Sequence, residues 1–413
     1  MPAKALQCKE CRTSYPLEAR YACDECFGPL EVSYDFSELD AESTRRRIQA
    51  GPPDIWRYLD FLPFDSPPTS ALGAGLTPLV PADRLAERLG VGEVWVKNDA
   101  ANPTHSFKDR VVTVALAKAQ ELGYEVVACA STGNLANAVA AHAAAAGLES
   151  YVFIPADLEE QKVLATGVYG TTLVAVRGTY DDVNRLCTQL AAERDWAFVN
   201  VNVRPYYAEG SKTLGFEIAE QLGFGLPDRV IAPVASGSLF TKIARGLEEW
   251  LDLGLIEGRL PVFHGAQPAG CSPVAQAFEA GRKVCKPVKP DTIAKSLAIG
   301  DPADGPYALE LARNSGGSVD AVSEEEIRDG IRLLAETTGI FTETAGGVTT
   351  AVLAKLAERG DIGADERVVL VITGEGLKTL DAVRGSFEAC EIDATVDAFE
   401  NQVSDRSATP APV

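Results

Sequence analysis

No apolar run in this chain approaches the ~20 residues needed to cross a bilayer. Its first residues, Met1-Pro2-Ala3-Lys4-Ala5-Leu6-Gln7, lack the apolar core of a secretion signal. Cations are scarce: 38 Lys and Arg stand against 59 Asp and Glu, a formal net charge of −21. A surface so acidic repels nucleic-acid backbones and anionic membranes, so neither is expected as a partner. An anionic substrate would then have to be met by a local concentration of basic groups or backbone N–H dipoles. Nine cysteines are an odd number, and five of them are scattered singly. That fits a reducing, cytoplasmic setting better than a disulfide framework. No internal repeat is present.

What is there suits a globular enzyme: 413 residues, 46% hydrophobic and 23% charged, enough for two or three structural units. From Leu76 onward, short β-branched runs alternate with helical stretches. Strands are expected at Val94–Lys97, Val126–Ala130, Tyr151–Ile154, Leu173–Val176, Arg229–Val234, Pro261–Gln267 and Val368–Thr373. Helices are expected at Lys108–Leu122, Asn134–Ala146, Asp181–Arg194 and Ser323–Thr338. Strands without polar alternation, separated by helices, predict an α/β fold with parallel sheets covered on both faces.

Two Cys-x2-Cys pairs, Cys8/Cys11 and Cys23/Cys26, open the chain. Four thiolates at that spacing can close on a tetrahedral zinc, which would staple a unit of about residues 1–35 that is too small to build its own core. Reduced thiols or a redox pair are the alternatives. Residues 36–75, interrupted by Pro52-Pro53 and by Pro63 to Pro68, read as a linker wrapping the surface. The polar stretch 397–413 reads as a disordered tail.

The chemistry concentrates at Asn102-Pro103-Thr104-His105-Ser106-Phe107-Lys108-Asp109-Arg110. Lys108 follows a polar loop and starts a helix. There the positive end of the helix dipole and partial burial disfavour an ammonium, and a neutral amine is a nucleophile toward carbonyl compounds. Taken alone it could be a solvated helix lysine; its neighbours say otherwise. The segment resembles the pyridoxal-phosphate lysine motif of the threonine synthases, in the tryptophan-synthase-β-like group. Ser131-Thr132-Gly133-Asn134, Glu343-Thr344-Ala345-Gly346-Gly347 and Thr373-Gly374-Glu375-Gly376-Leu377-Lys378 resemble further motifs of that group in the expected order. The similarity covers roughly residues 70–390.

The resemblance implies two parallel-sheet three-layer domains with the cofactor in the cleft between them. The larger would comprise 76–111 and 213–396, and the smaller, 112–212, would be inserted into it. It implies a homodimeric lyase acting on O-phospho-L-homoserine at the last step of threonine biosynthesis, with pyridoxal 5'-phosphate as cofactor. Lys108 is implied as the lysine that carries the cofactor and moves protons. Asn134 is implied at the ring hydroxyl, Thr373 at the pyridine nitrogen, and Ser236-Gly237-Ser238-Leu239 as the phosphate cradle. The cradle departs from the family's Gly-Asn-rich form. Ser131, Thr132, Gly133 and Asn134 would take the substrate carboxylate, although Ser and Thr there also suit a helix cap. His105, where the family commonly has glycine, either contacts a substrate phosphate or fills the loop. Lys212, with Arg204, either binds that phosphate or lies solvated on the surface. His142 reads as a helix-surface or core histidine rather than a catalytic one. A serine/threonine deaminase or a β-replacement synthase is the rival of the same chemistry. A non-catalytic zinc-ribbon protein that binds a metabolite is the rival of another class.

Overall fold

The computed structural model describes residues 2–69, 72–178 and 180–403. The strands in chain order are β1 (Ala3–Cys8), β2 (Ser14–Tyr15), β3 (Leu30–Tyr34), β4 (Leu79–Pro81), β5 (Glu93–Asn98), β6 (Val126–Ala130), β7 (Glu149–Pro155), β8 (Thr172–Val176), β9 (Ala197–Phe198), β10 (Arg229–Pro233), β11 (Val262–Pro268), β12 (Val319–Val322) and β13 (Arg367–Ile372). They form three sheets. A small antiparallel sheet, β2-β1-β3, holds the cysteine leader. A six-stranded sheet runs β12-β11-β10-β13-β5-β4 and is parallel except for β4, a short antiparallel edge. The third, β8-β7-β6-β9, is wholly parallel. The fold is therefore α/β with two parallel sheets and a small cysteine-bearing unit.

The central strands are legible because their side chains are apolar on both faces. Val368 to Ile372 are all buried, as are Val127 to Ala130. This is what helices packed on both sides of a sheet require. The expected helices appear as Lys108–Glu121, Asn134–Ala146, Tyr180–Glu193 and Glu324–Thr338. Ser323 caps the last in a capping box with Glu326. Besides the three strands of the leader, β4, β9 and β12 are not anticipated from the sequence. They are two to four residues long, and Val319-Asp320-Ala321-Val322 carries a polar residue mid-strand.

The topology decides where a site can be. The loops after β5, β10 and β13, three neighbours in one sheet, all leave from the carboxyl edge, where ligands of parallel sheets bind. The loop after β6 of the other sheet holds Ser131–Asn134.

Two expectations are corrected. The linker does not merely wrap the surface: its segment Ile55–Phe61 buries Ile55, Trp56, Tyr58 and Phe61. Phe61 lies 5.2 Å from Phe216 between ring centroids, and Phe216 stacks on Trp250 at 5.1 Å. The prolines mark the ends of this stretch, but its aromatic content sets its place, because each ring removes a large area from water. The tail begins with a helix, Val396–Gln402, capped by the Thr395 side chain; positions 404–413 lie outside the described residues. No helix among the described residues is long and apolar enough to cross a membrane.

Candidate active site

The carboxyl-edge loops after β5 and β13 are laced to each other and to the loop that precedes helix Thr344–Glu358. Phe107 N donates to Thr373 O at 2.9 Å, Glu375 N to His105 O at 3.2 Å and Glu343 N to Gly374 O at 3.1 Å. The lacing needs close backbone approach: a Cβ on Gly374 would stand 2.4 Å from the Glu343 carboxyl carbon. The lysine loop is thus fixed by the two C-terminal motifs, far away in sequence.

Lys108 is half-buried and begins helix Lys108–Glu121. Its Nζ donates to Tyr207 Oη at 3.0 Å. The two residues after it anchor the first turn. Asp109 is buried and accepts from Thr104 N at 3.0 Å and Thr104 Oγ1 at 2.9 Å, with His142 Nε2 at 2.8 Å. Of the two places expected for His142, helix surface or core, it takes the core. Arg110 is fully buried, with Nε 2.7 Å from Asp99 Oδ2 and Nη1 2.5 Å from Glu217 Oε1; Lys97 Nζ reaches Glu217 Oε2 at 2.7 Å. Burial pushes the Glu217 carboxyl up, but Arg110 and then Lys97 outweigh it and hold the group at about 2. This ion cluster holds the first turn of the helix that Lys108 begins.

Asn134 sits between opposite charges. Its Nδ2 donates to Glu343 Oε2 at 2.9 Å, and its Oδ1 accepts from Lys378 Nζ at 2.8 Å. Lys378 also donates to Thr104 O at 2.6 Å. The amide orientation is therefore dictated from both ends. Burial raises the Glu343 carboxyl above its ordinary value, against the pull of Asn134, Lys378 and Lys108. Burial likewise lowers the Lys378 ammonium, against Glu343 and Asp109. Glu343 and Lys378 were expected only as parts of motifs; their partnership through Asn134 spans 209 and 244 positions and has no local signal.

The segment Ser236–Leu239 stands at the N-terminus of helix Ser238–Leu253. Gly237 adopts φ +97°, and a Cβ there would lie 2.7 Å from Asp304 O. A helix N-terminus flanked by small residues suits an anion. Gly237→Ala is expected to strain this loop. It should weaken binding of pyridoxal phosphate, measured by titrating cofactor-free protein, and lower the melting temperature, with a backbone cost of about 1–3 kcal/mol. Unchanged affinity would mean that the loop does not serve the phosphate. Ser131 is buried, and its backbone N–H is taken by Phe153 O at 3.2 Å. Thr132 and Gly133 are half-exposed, and nothing lies within 4 Å of where a Gly133 side chain would stand.

Lys212 is the misplaced candidate. Its ammonium is wholly buried, 2.7 Å from Glu209 Oε2 and 2.9 Å from Glu249 Oε2, under the Tyr34 ring at 4.0 Å from the centroid. It is neither a solvated surface group nor open to substrate; it holds the leader to the body. Its partner Glu249 is 37 positions away, so position in sequence gave no warning. His105 is exposed, with φ +60°. That left-handed backbone explains why glycine suits the position, and histidine is among the residues that tolerate it. Arg204 Nη2 donates to Asp304 Oδ2 at 3.1 Å. Tyr207, three residues on in the same short helix, was not anticipated, because its contact with Lys108 spans 99 positions.

In the leader, the Sγ atoms of Cys8, Cys11, Cys23 and Cys26 all lie within 4.8 Å of one another. Two equivalent turns present them: Arg12 N donates to Cys8 O and Phe27 N to Cys23 O, and Arg12 and Phe27 both take positive φ, 64° and 58°. Four converging thiols suit a tetrahedral zinc at Zn–S distances of about 2.3 Å. A closed set of four leaves no position for catalysis.

Residues 71–374 match the family model described as "Pyridoxal-phosphate dependent enzyme". The threonine synthase of Methanocaldococcus jannaschii is 39% identical over 95% of this chain and 98% of that protein. The chain belongs to the threonine synthase family of pyridoxal-phosphate-dependent enzymes. The threonine synthase of Methanosarcina acetivorans is 38% identical over 96% of this chain and 98% of its own length. Among solved structures, threonine deaminase isoform 2 from Solanum lycopersicum superposes with a TM-score of 0.64 at 20% identity, covering 94% of this chain and 93% of that one. At that identity the likeness speaks for the fold alone. The family's cofactor fits the residues present. There is a primary amine at a helix start, an amide locked between Glu343 and Lys378, a hydroxyl at the end of a central strand, a helix N-terminus for a phosphate, and open space before Gly133.

Proposed function

We propose that the chain converts O-phospho-L-homoserine and water to L-threonine and phosphate, with Lys108 moving the protons. The reading is carried by the Lys108 amine, placed at a helix start against Tyr207 beside the Asn134–Glu343–Lys378 cluster, in a chain aligned end to end with threonine synthases. When bound, pyridoxal phosphate supplies an electron sink for negative charge developing next to the substrate amine.

The protein's own groups do the rest. Lys108 Nζ takes the proton from Cα, a Cβ proton follows, and phosphate leaves Cγ; a proton returns to Cγ, water adds its hydroxyl at Cβ, and a proton returned to Cα completes threonine, while the remaining proton of water leaves with phosphate. Proton transfer by a positioned amine contributes about 10²–10⁴ in rate. Tyr207 Oη holds that amine in place. Asn134 would meet the ring hydroxyl, and its locked amide leaves one way to do so. Thr373 would face the pyridine nitrogen with a neutral hydroxyl, which need not keep the nitrogen protonated. Ser236, Gly237, Ser238 and Leu239 would take the cofactor phosphate, and Ser131, Thr132 and Gly133 the substrate carboxylate. His105, exposed in the loop that leads into Lys108, is the remaining candidate for the substrate phosphate; Lys212 is withdrawn from that role. A homodimer in the cytoplasm belongs to this reading. It is supported by the family and by nine free cysteines, which suit a reducing compartment.

Incubation of the purified, cofactor-loaded protein with O-phospho-L-homoserine should release phosphate and threonine in equal amounts. Ketoacid formed from threonine, with no phosphate released from O-phospho-L-homoserine, would favour a deaminase instead.

A further inference from the structure

The cysteine leader comes to the flank of the phosphate loop at Lys9. Lys9 lies inside the first Cys-x2-Cys turn, where its backbone N–H is held by Pro29 O at 3.0 Å. Its Nζ projects to 3.8 Å from Asp304 Oδ1 and lies 3.3 Å from the Tyr307 ring centroid.

Asp304 is a junction. Its backbone N–H donates to Ser236 O at 2.8 Å, and its carbonyl closes over Gly237, 2.7 Å from where a Cβ would stand. Its Oδ2 accepts from Arg204, on the helix that brings Tyr207 to Lys108. One residue therefore touches the leader and the helix that orients the catalytic amine through its side chain, and the phosphate loop through its backbone. The leader is docked around this point by Tyr34 Oη on Glu209 at 2.7 Å, by Tyr206 Oη on Glu18 O at 3.0 Å, and by Glu31 with Lys242 at 3.7 Å. Glu209 and Lys242 lie on the helices of Tyr207 and of the phosphate loop.

We propose that the leader positions the phosphate loop through Lys9 and Asp304, so that zinc in the four-cysteine turn pair and pyridoxal phosphate in the cleft strengthen each other's binding. The metal would fix the turn that aims Lys9. Lys9 would hold Asp304 against Ser236 and Gly237, and the loop would then be preorganised for the dianion. Without the metal the turns are free to open, and the loop loses one of its two cationic anchors. The proposal rests on the reading that Ser236–Leu239 takes the cofactor phosphate. Lys9 is a positioning residue here, not a catalytic one. Coupling between two binding sites is reciprocal, so it must appear in both affinities.

The test uses the full-length chain freed of pyridoxal phosphate. Zinc-loaded wild type, Lys9→Met and Asp304→Asn are titrated with pyridoxal phosphate, and the visible absorbance of the lysine-bound cofactor is read. Both variants should bind about tenfold more weakly, inside the usual range for coupled sites. The absorbance maximum and the borohydride labelling of Lys108 should not change. Zinc affinity of the wild type, measured by competition with a chromophoric chelator, should rise by a similar factor when pyridoxal phosphate is bound. This arm needs no variant and decides the matter even if the substitutions unfold the protein. Wild-type cofactor affinity in both variants, or a zinc affinity indifferent to pyridoxal phosphate, would overturn the proposal. A wild type that never gains the visible absorbance fails differently: it removes the cofactor reading itself, and this inference with it.

Discussion

Lys108→Ala should lower turnover of O-phospho-L-homoserine by at least about a thousandfold, because it removes the amine assigned both the cofactor and the proton transfers. The protein should also be colourless after incubation with pyridoxal phosphate. What makes the experiment clean is the small structural role of this side chain. It is half-buried, and its amine makes a hydrogen bond to Tyr207 Oη. The first helical turn is held instead by Asp109 on Thr104 and by Arg110 on Asp99 and Glu217. Loss of one partly exposed hydrogen bond costs about 1 kcal/mol, so far-UV circular dichroism and the melting temperature of the cofactor-free variant should stay close to wild type. An inactive but folded variant supports the assignment. Turnover within a few-fold of wild type would end it.

The same contrast explains what the sequence reveals and what it hides. Lys108 is legible because a strand end, a loop and a helix start are contiguous, so the residues serving the amine from its own segment sit side by side in Asn102–Arg110. The central strands are legible for a similar reason: a run such as Val368 to Ile372, buried on both faces, needs no partner to be recognised. Contacts across the cleft leave no such trace. Tyr207 meets Lys108 over 99 positions, and Glu343 meets Asn134 over 209, so neither pairing shows as a local pattern. Charge misleads in a further way. Lys97, Arg110 and Lys212 look like surface groups in any count of polar residues, yet all three are fully buried. Their burial depends on carboxylates brought in by other helices, which a reading along the chain does not see. The linker fails conversely: its prolines are its most visible signal, yet burial of Ile55, Trp56, Tyr58 and Phe61 sets its course.

Those hidden charges carry the second large effect. Glu217 is wholly buried and accepts from Lys97 Nζ at 2.7 Å, from Arg110 Nη1 and Nη2 at 2.5 and 2.6 Å, and from Leu76 N and Thr77 N at 2.6 and 3.2 Å. Glu217→Ala would leave two buried cations facing Asp99 alone. Breaking a buried ion cluster from one side costs about 3–5 kcal/mol, since the stranded charge cannot regain water. In a chain of this size that is a fall of roughly 4–6 °C in melting temperature. The dependence on pH separates this cause from simple loss of packing. The Glu217 carboxyl is held at about 2 against an ordinary value near 4.5, so the folded state binds its proton more weakly than the unfolded state. Its stabilisation is then fully present above pH 4.5 and is lost as pH falls toward 2, a difference of about 3 kcal/mol. Melts of wild type and Glu217→Ala between pH 2.5 and 6 should therefore diverge most at the upper end and converge at the lower. A gap that stays constant with pH would mean that Glu217 works as a space-filling side chain. The ion cluster would then not be what holds the lysine-bearing helix in place.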